Sequence, residues 1–366
     1  MTFINTYRIQ AGVCITLLLC FIAVLAGCTG SSETVEDDTN ADKTTAAEAK
    51  TTTPLSECDI SDSVSSYPDI PFVLKINDEA VSYDEFLYIF SYYKKAYDGG
   101  DSTYWSDNPE QAEFVENLIL TELQRNCAIR QETERRELSL TEAERADMHT
   151  NIAKTIQSVG GVDTFETWLA AENLSLYAYN IITETSLLSQ KLKNDFLENQ
   201  EILTSDTAIR NILNSGEFIR CKHILIKNDE GDDKEANEEL IQQLHDRAEN
   251  GEDFDKLMQE YGEDPGVASN PDGYYFFRGE MAEEFEKAAF SLRENQISDI
   301  VTTEFGFHII QRLPKDETYI DDNFEEIKES YQNIRMYQLL DEIISKQKID
   351  FCDAYDTYIN FTQSNT

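Results

Sequence analysis

The apolar positions divide the chain into stretches of different period. Residues 11–28, "AGVCITLLLCFIAVLAGC", are an unbroken run of apolar and small side chains, whereas residues 29–70 are rich in Thr, Ser, Ala, Asp and Glu and poor in large apolar groups. Beyond residue 71 the apolar positions return with helical spacing. Val73, Ile76 and Val81 around Asn77-Asp78 predict a short strand–turn element. Ser82 followed by Glu85 predicts a capped helix with Phe86, Ile89, Phe90 and Tyr93 on one stripe, stopped by Gly99-Gly100. Asn108-Pro109 opens another helix bearing Phe114, Leu118 and Leu123, and Thr141 with Glu144 opens one bearing Met148, Ile152 and Ile156. The pattern persists through residue 200, and no proline falls between 110 and 264, so residues 71–215 are expected to form a helical module.

The period changes near residue 216. "EFIRCKHILI" reads as a strand, "EANEELIQQLHDRAENG" and "DFDKLMQEYGED" as helices, "YYFFRG" as extended, and "AEEFEKAAFSL" as a short helix. "ISDIVTTEFGFHIIQRL" reads as two strands joined by a loop. The predicted class is α+β: an antiparallel-rich sheet with flanking helices over residues 216–315. It is inserted between the helical module and a long amphipathic helix, residues 316–349, expected to return onto that module through Phe324, Ile327, Tyr331, Ile334 and Leu340. Residues 350–366 carry no pattern and are expected to be a tail.

Composition narrows the function classes. Acidic residues number 71 against 30 basic ones, a formal charge of −41. That excludes nucleic acid as the expected partner, because phosphate binding needs clustered Lys and Arg. Of seven cysteines, Cys14 and Cys20 lie in the apolar run, Cys58 in the linker and Cys352 in the tail, while Cys127 and Cys221 read as small buried hydrophobes. No Cys-x-x-Cys or metal-ligand spacing occurs, so neither a disulfide framework nor a metal or other cofactor is expected.

The apolar run has the look of an address. Arg8 precedes it and Leu25-Ala26-Gly27-Cys28 closes it, a tetrad that resembles the lipobox of bacterial lipoproteins. That resemblance implies a signal peptide over residues 1–28, a lipidated Cys28, and residues 29–70 as a disordered tether. The alternative is an uncleaved membrane anchor, since the run is about long enough to span a bilayer. Either places the remainder outside the cytoplasm.

Two of only four histidines stand inside apolar strands, His223 in "RCKHILIK" and His308 in "FGFHIIQRL". An imidazole there costs free energy unless both ring nitrogens find partners, and two strands lying side by side could pair the rings. His149 and His245 sit on polar helical stretches and are expected to face solvent, and Arg278 reads as a lone surface cation.

Residues 216–315 resemble the parvulin-type peptidyl-prolyl isomerase domain through "CKHILI", "GEDFDKLMQEYGEDPG", "GYYFFRGEMAEEFEKAAFSL" and "ISDIVTTEFGFHIIQR". The wider layout, with its entry segment "VLKINDEAVSYDEF", resembles the extracytoplasmic foldase lipoproteins and the chaperone-isomerases of the SurA type. The resemblance implies His223 and His308 as the family's paired histidines, Asp264 beside the substrate, and Thr303 as the conserved hydroxyl. It implies Phe276, Met281 and Phe285 as walls of a proline pocket. Gly273 stands where many members have a pocket leucine, which predicts a wider pocket, and Phe305 replaces a common small polar residue. The implied function is a membrane-tethered isomerase acting on unfolded or newly exported polypeptides with X-Pro bonds. The alternative is a non-catalytic holdase retaining the domain.

Overall fold

The computed structural model describes residues 53–61, 71–101, 103–228 and 233–362. The expected signal peptide, Cys28 and most of the tether lie outside these residues. In chain order the elements are β1 (Phe72–Ile76), β2 (Glu79–Ser82), α1 (Tyr83–Asp98), α2 (Tyr104–Asp107), α3 (Pro109–Arg135), α4 (Glu142–Val159), α5 (Val162–Ala171), α6 (Leu176–Glu198) and α7 (Asp206–Asn214). There follow β3 (Phe218–Lys227), α8 (Lys234–Glu249), α9 (Phe254–Tyr261), β4 (Tyr274–Phe277), α10 (Glu283–Ser291), β5 (Val301–Thr303) and β6 (Gly306–Leu313). The chain closes with α11 (Glu317–Asp322), α12 (Phe324–Ile344), β7 (Ile349–Phe351) and α13 (Tyr355–Tyr358). Mixed helix and sheet is the class the alternating periods predict.

Phe196–Gln338 form one compact unit, and the described residues on either side of it form another. The first unit is built on a four-stranded antiparallel sheet in the order β4-β3-β6-β5. Side chains alternate between the faces of a strand, so each face has its own core. On one face Ile224, Ile226, Phe307 and Ile309 pack with Ile241, Leu244, Leu257 and Met258 of α8 and α9. On the other, Ile219, Cys221 and Ile310 pack with Phe276 of β4 and Phe285 and Ala289 of α10. Buried side chains of this size contribute about 1.5–3 kcal/mol each by leaving water.

A third cluster corrects the expected domain boundaries. Phe218 and Phe277, paired across β3 and β4, pack with Ile209 and Leu213 of α7, Ile320 of α11, and Phe324, Ile327, Tyr331 and Ile334 of α12. The first turns of the C-terminal helix therefore cover the sheet rather than the helical module. An amphipathic stripe declares that a helix needs a core without saying which one. Only from Leu339 onward does the chain belong to the second unit, where Asp341 accepts a hydrogen bond from Arg125.

The second unit joins helices to a small antiparallel sheet, β2-β1-β7. Ser82 caps α1 by accepting the Glu85 N–H, but the Glu85 carboxylate turns away to the Arg130 guanidinium at 3.0 Å. Thr141 and Glu144 complete a reciprocal capping box at α4. Both ends of this unit depart from the sequence expectation. Residues 53–61, assigned by composition to the tether, hold a short turn, Leu55–Glu57, with Cys58 and Ile60 buried. The supposed tail supplies β7, with Leu74 opposite Phe351, and buries Tyr355 and Phe361. Short segments of this kind are ordered by partners distant in sequence, which local pattern cannot reveal.

Candidate active site

The histidines are brought together by strand register. His223 pairs with Ile310 and Leu225 with His308, so the imidazoles are diagonal neighbours on one face of the sheet. Their Nδ1 atoms are 3.2 Å apart and the rings are nearly parallel. Beyond the end of α9, the Glu263 N–H donates to the Leu225 carbonyl, which lays the next residue alongside β3. That residue, Asp264, caps the turn Pro265–Ala268 and meets His223 Nε2 at 2.8 Å. From the other side, Thr303 at the end of β5 brings its hydroxyl oxygen 2.8 Å from His308 Nε2 and accepts the Phe305 N–H at 3.1 Å.

Tyr274 completes the array, donating its hydroxyl to Asp264 Oδ2 at 2.5 Å. Sequence reasoning did not single it out. The signal available was its place directly after the Asn270–Gly273 turn in a segment that matched the family otherwise. The result is an unbroken hydrogen-bonded chain, Tyr274–Asp264–His223–His308–Thr303, buried at its centre. His308 is 0% exposed and His223 3%.

Burial alone would raise the Asp264 carboxyl, but the His223 ring, the Tyr274 hydroxyl and the Gly266 N–H hold it down to about 2. Burial pushes the His308 imidazole down to about 3, with His223 adding to the effect and Asp264 opposing it. Near neutral pH, Asp264 is thus an acceptor and His308 is neutral. Two proton orders satisfy every bond. With His223 neutral, its Nε2–H donates to Asp264 and its Nδ1 accepts from His308 Nδ1–H; His308 Nε2 then accepts the Thr303 hydroxyl. With one proton added at the Thr303 oxygen, each bond below Asp264 reverses. His223 becomes the cation, His308 Nε2–H donates to Thr303, and the Thr303 hydroxyl hydrogen is free to point elsewhere.

The expected pocket residues separate by depth. Phe285 stands edge-on to both imidazoles, with ring centroids 5.3 and 5.4 Å from those of His223 and His308. Phe276 packs behind it at 6.2 Å, and both phenylalanines are buried. Met281 and Phe305 join the same cluster while remaining partly exposed. The loop carrying Met281 is tied down by Glu280, which accepts the Phe277 N–H and the Ser330 hydroxyl.

Three expectations need correction here. Gly273 has φ +101°, and a Cβ there would meet the Cys221 carbonyl oxygen at 2.7 Å and a Leu313 methyl at 3.2 Å. Leu313 lies on the face opposite His308, so Gly273 meets a backbone demand and does not widen the pocket. Gly273→Leu, which imposes the family's usual residue, is expected to destabilise the fold by about 2–3 kcal/mol. An unchanged urea midpoint for that variant would contradict this assignment. Arg278 is not a lone cation: it pairs with Glu217 and lies over the Phe290 ring. His149 and His245 are half-buried rather than turned fully to solvent.

The family comparison falls on the same segment. The family model described as "Rotamase: PPIC-type PPIASE domain" matches residues 223–313. The chain is 38% identical to the foldase protein PrsA of Geobacillus kaustophilus over 36% of its own length and 43% of that protein's. It is 28% identical to PrsA of Caldanaerobacter subterraneus over 76% of its length and 86% of that protein's. The chain thus spans less than half the length of the first of these relatives and most of the second. A crystal structure of PrsA from Bacillus anthracis is 22% identical, with 62% of this chain and 96% of that one covered at a TM-score of 0.36. Family match, strand register and paired histidines converge on one segment: residues 223–313 are a parvulin-type, or PPIC-type, peptidyl-prolyl isomerase domain.

Proposed function

We propose that this protein is a peptidyl-prolyl cis/trans isomerase that assists the folding of exported polypeptides while held to a membrane through Cys28. The observation that carries the reading is the buried chain from Tyr274 to Thr303, whose neighbour Phe285 shares a cluster with the partly exposed Met281 and Phe305. Rotation about an X-Pro bond meets a barrier of about 18–20 kcal/mol for peptide bonds in general, set by amide resonance. No bond breaks, so the site needs to hold the proline ring and favour the twisted amide. Met281 and Phe305 offer the ring contact, Phe285 the floor, and Thr303 a hydroxyl beside the reacting bond. Asp264 is not available as a nucleophile. Its side chain is 3% exposed, and both oxygens are engaged. Its role is to fix the histidines.

Support for the anchor and for the location outside the cytoplasm comes from the Leu-Ala-Gly-Cys tetrad and from the relatives, which are named foldases. Uncatalysed X-Pro isomerisation takes tens of seconds, long enough for an exported chain to gain from a catalyst. The test is exchange spectroscopy on a short X-Pro peptide. Cis–trans exchange is expected to rise well above background at micromolar protein, and no acceleration would remove the enzyme reading in favour of a holdase. Met281→Ala is expected to lower kcat/KM about tenfold, mainly through KM, because it takes apolar contact from the bound ring. An unchanged KM in that variant places the proline elsewhere.

A further inference from the structure

Tyr274 is the one member of the buried chain that isomerisation does not itself call for. Its hydroxyl shares Asp264 Oδ2 with His223 Nε2, while Asp264 Oδ1 takes the Gly266 N–H at 2.9 Å. Its ring stands edge-on to His223, with centroids 5.5 Å apart. Gly266 leaves room for it, since a Cβ there would come 2.4 Å from the Tyr274 hydroxyl oxygen.

We propose that Tyr274 is a positioning residue that sets the resting direction of the proton chain and thereby whether the Thr303 hydroxyl turns to His308 or toward the substrate. A second donor on Oδ2 spreads the charge of that oxygen and weakens its hold on a doubly protonated His223. The groups facing the pair are Asp264 from the turn after α9, Tyr274 from β4, Thr303 from β5 and the uncharged Phe285 from α10. Asp264 alone among these favours the cation. With Tyr274 in place the inward order holds: the Thr303 hydroxyl is spent on His308 Nε2. Without Tyr274 the carboxylate holds its remaining donor more strongly, and the outward order gains population.

The consequence for turnover rests on the isomerase reading; the proton order does not, and it is measurable without substrate. The experiment reads the His308 tautomer from its imidazole 15N shifts in the full chain at neutral pH, with kcat/KM alongside. Tyr274→Phe is expected to raise the Nε2–H form of His308 about tenfold relative to the Nδ1–H form, and to change kcat/KM with it. A folded Tyr274→Phe protein with an unmoved tautomer ratio overturns the proposal. Moved nitrogens in a protein that never accelerates isomerisation keep the positioning role and sink the isomerase reading. Should Tyr274→Phe fail to fold, Gly266→Ala drives the hydroxyl off the carboxylate while keeping the tyrosine. The same rise in the Nε2–H form of His308 then supports the proposal, and an unchanged ratio overturns it.

Discussion

Asp264→Ala is expected to lower kcat/KM on X-Pro peptides about a hundredfold while the protein stays folded. The carboxylate takes three donors, His223 Nε2–H and the Tyr274 hydroxyl on one oxygen and the Gly266 N–H on the other. Removing it leaves buried donors without acceptors, each costing about 1–3 kcal/mol, and those losses fall on the residues that align His308 and Thr303. The His223 ring is then free to take either tautomer, and the Thr303 hydroxyl loses its fixed direction. Asp264→Asn is expected to fare no better. An amide has one acceptor oxygen, so its NH2 must face either the Gly266 N–H or the two donors opposite. Exchange spectroscopy gives the rate and near-ultraviolet circular dichroism the fold. Full activity in Asp264→Ala would mean that the chain of bonds does not serve the reaction.

The second large effect is on stability. His308 is buried neutral, with its pKa down at about 3. Unfolded, it titrates near 6.5, so between those values the unfolded chain binds the extra proton and stability is lost as pH falls. The carboxylates held below their usual range, among them Asp264 and Glu144 at about 2 and Asp98 and Glu132 lower than normal, lose their contribution only below their unfolded values. Between pH 6.5 and 4.5 the histidine therefore dominates among them, and about 2–3 kcal/mol is expected to disappear. Glu286 and Glu304, raised by burial, pull the other way in the same window. His308→Gln isolates the histidine: its unfolding free energy, though lower at pH 7, is expected to vary less steeply over those two units. A slope equal to that of the unaltered protein would show that His308 does not titrate on unfolding as described.

How much of this was legible in the sequence follows from the range of the interactions involved. Strand alternation in "CKHILI" and "FGFHIIQR" placed each histidine on a buried face, and the antiparallel register then set them diagonally. Helix boundaries at Ser82, Pro109 and Thr141 were readable because caps are local chemistry. Tyr274 was not readable, since its partner Asp264 is reached through the fold of the intervening turn. Nor were β7 and the order at Cys58 and Ile60. A three-residue strand has no period of its own, and two buried side chains cannot outweigh a polar composition when counted along the chain. The α12 stripe was legible as a stripe but not as a cover for Phe218 and Phe277. Gly273 misled because a family pattern equates positions, whereas its φ and the nearby Cys221 carbonyl dictate the residue.

The account rests on the partly exposed Met281 and Phe305, which share a cluster with Phe285, being where a proline turns. The most direct measurement titrates an X-Pro peptide into 15N-labelled protein and reads amide shifts and cis–trans exchange in one series. Shifts concentrated at Met281, Thr303 and Phe305, rising together with accelerated exchange, are the expected result. Accelerated exchange with those amides unmoved, or binding there with exchange at the uncatalysed rate, would contradict it.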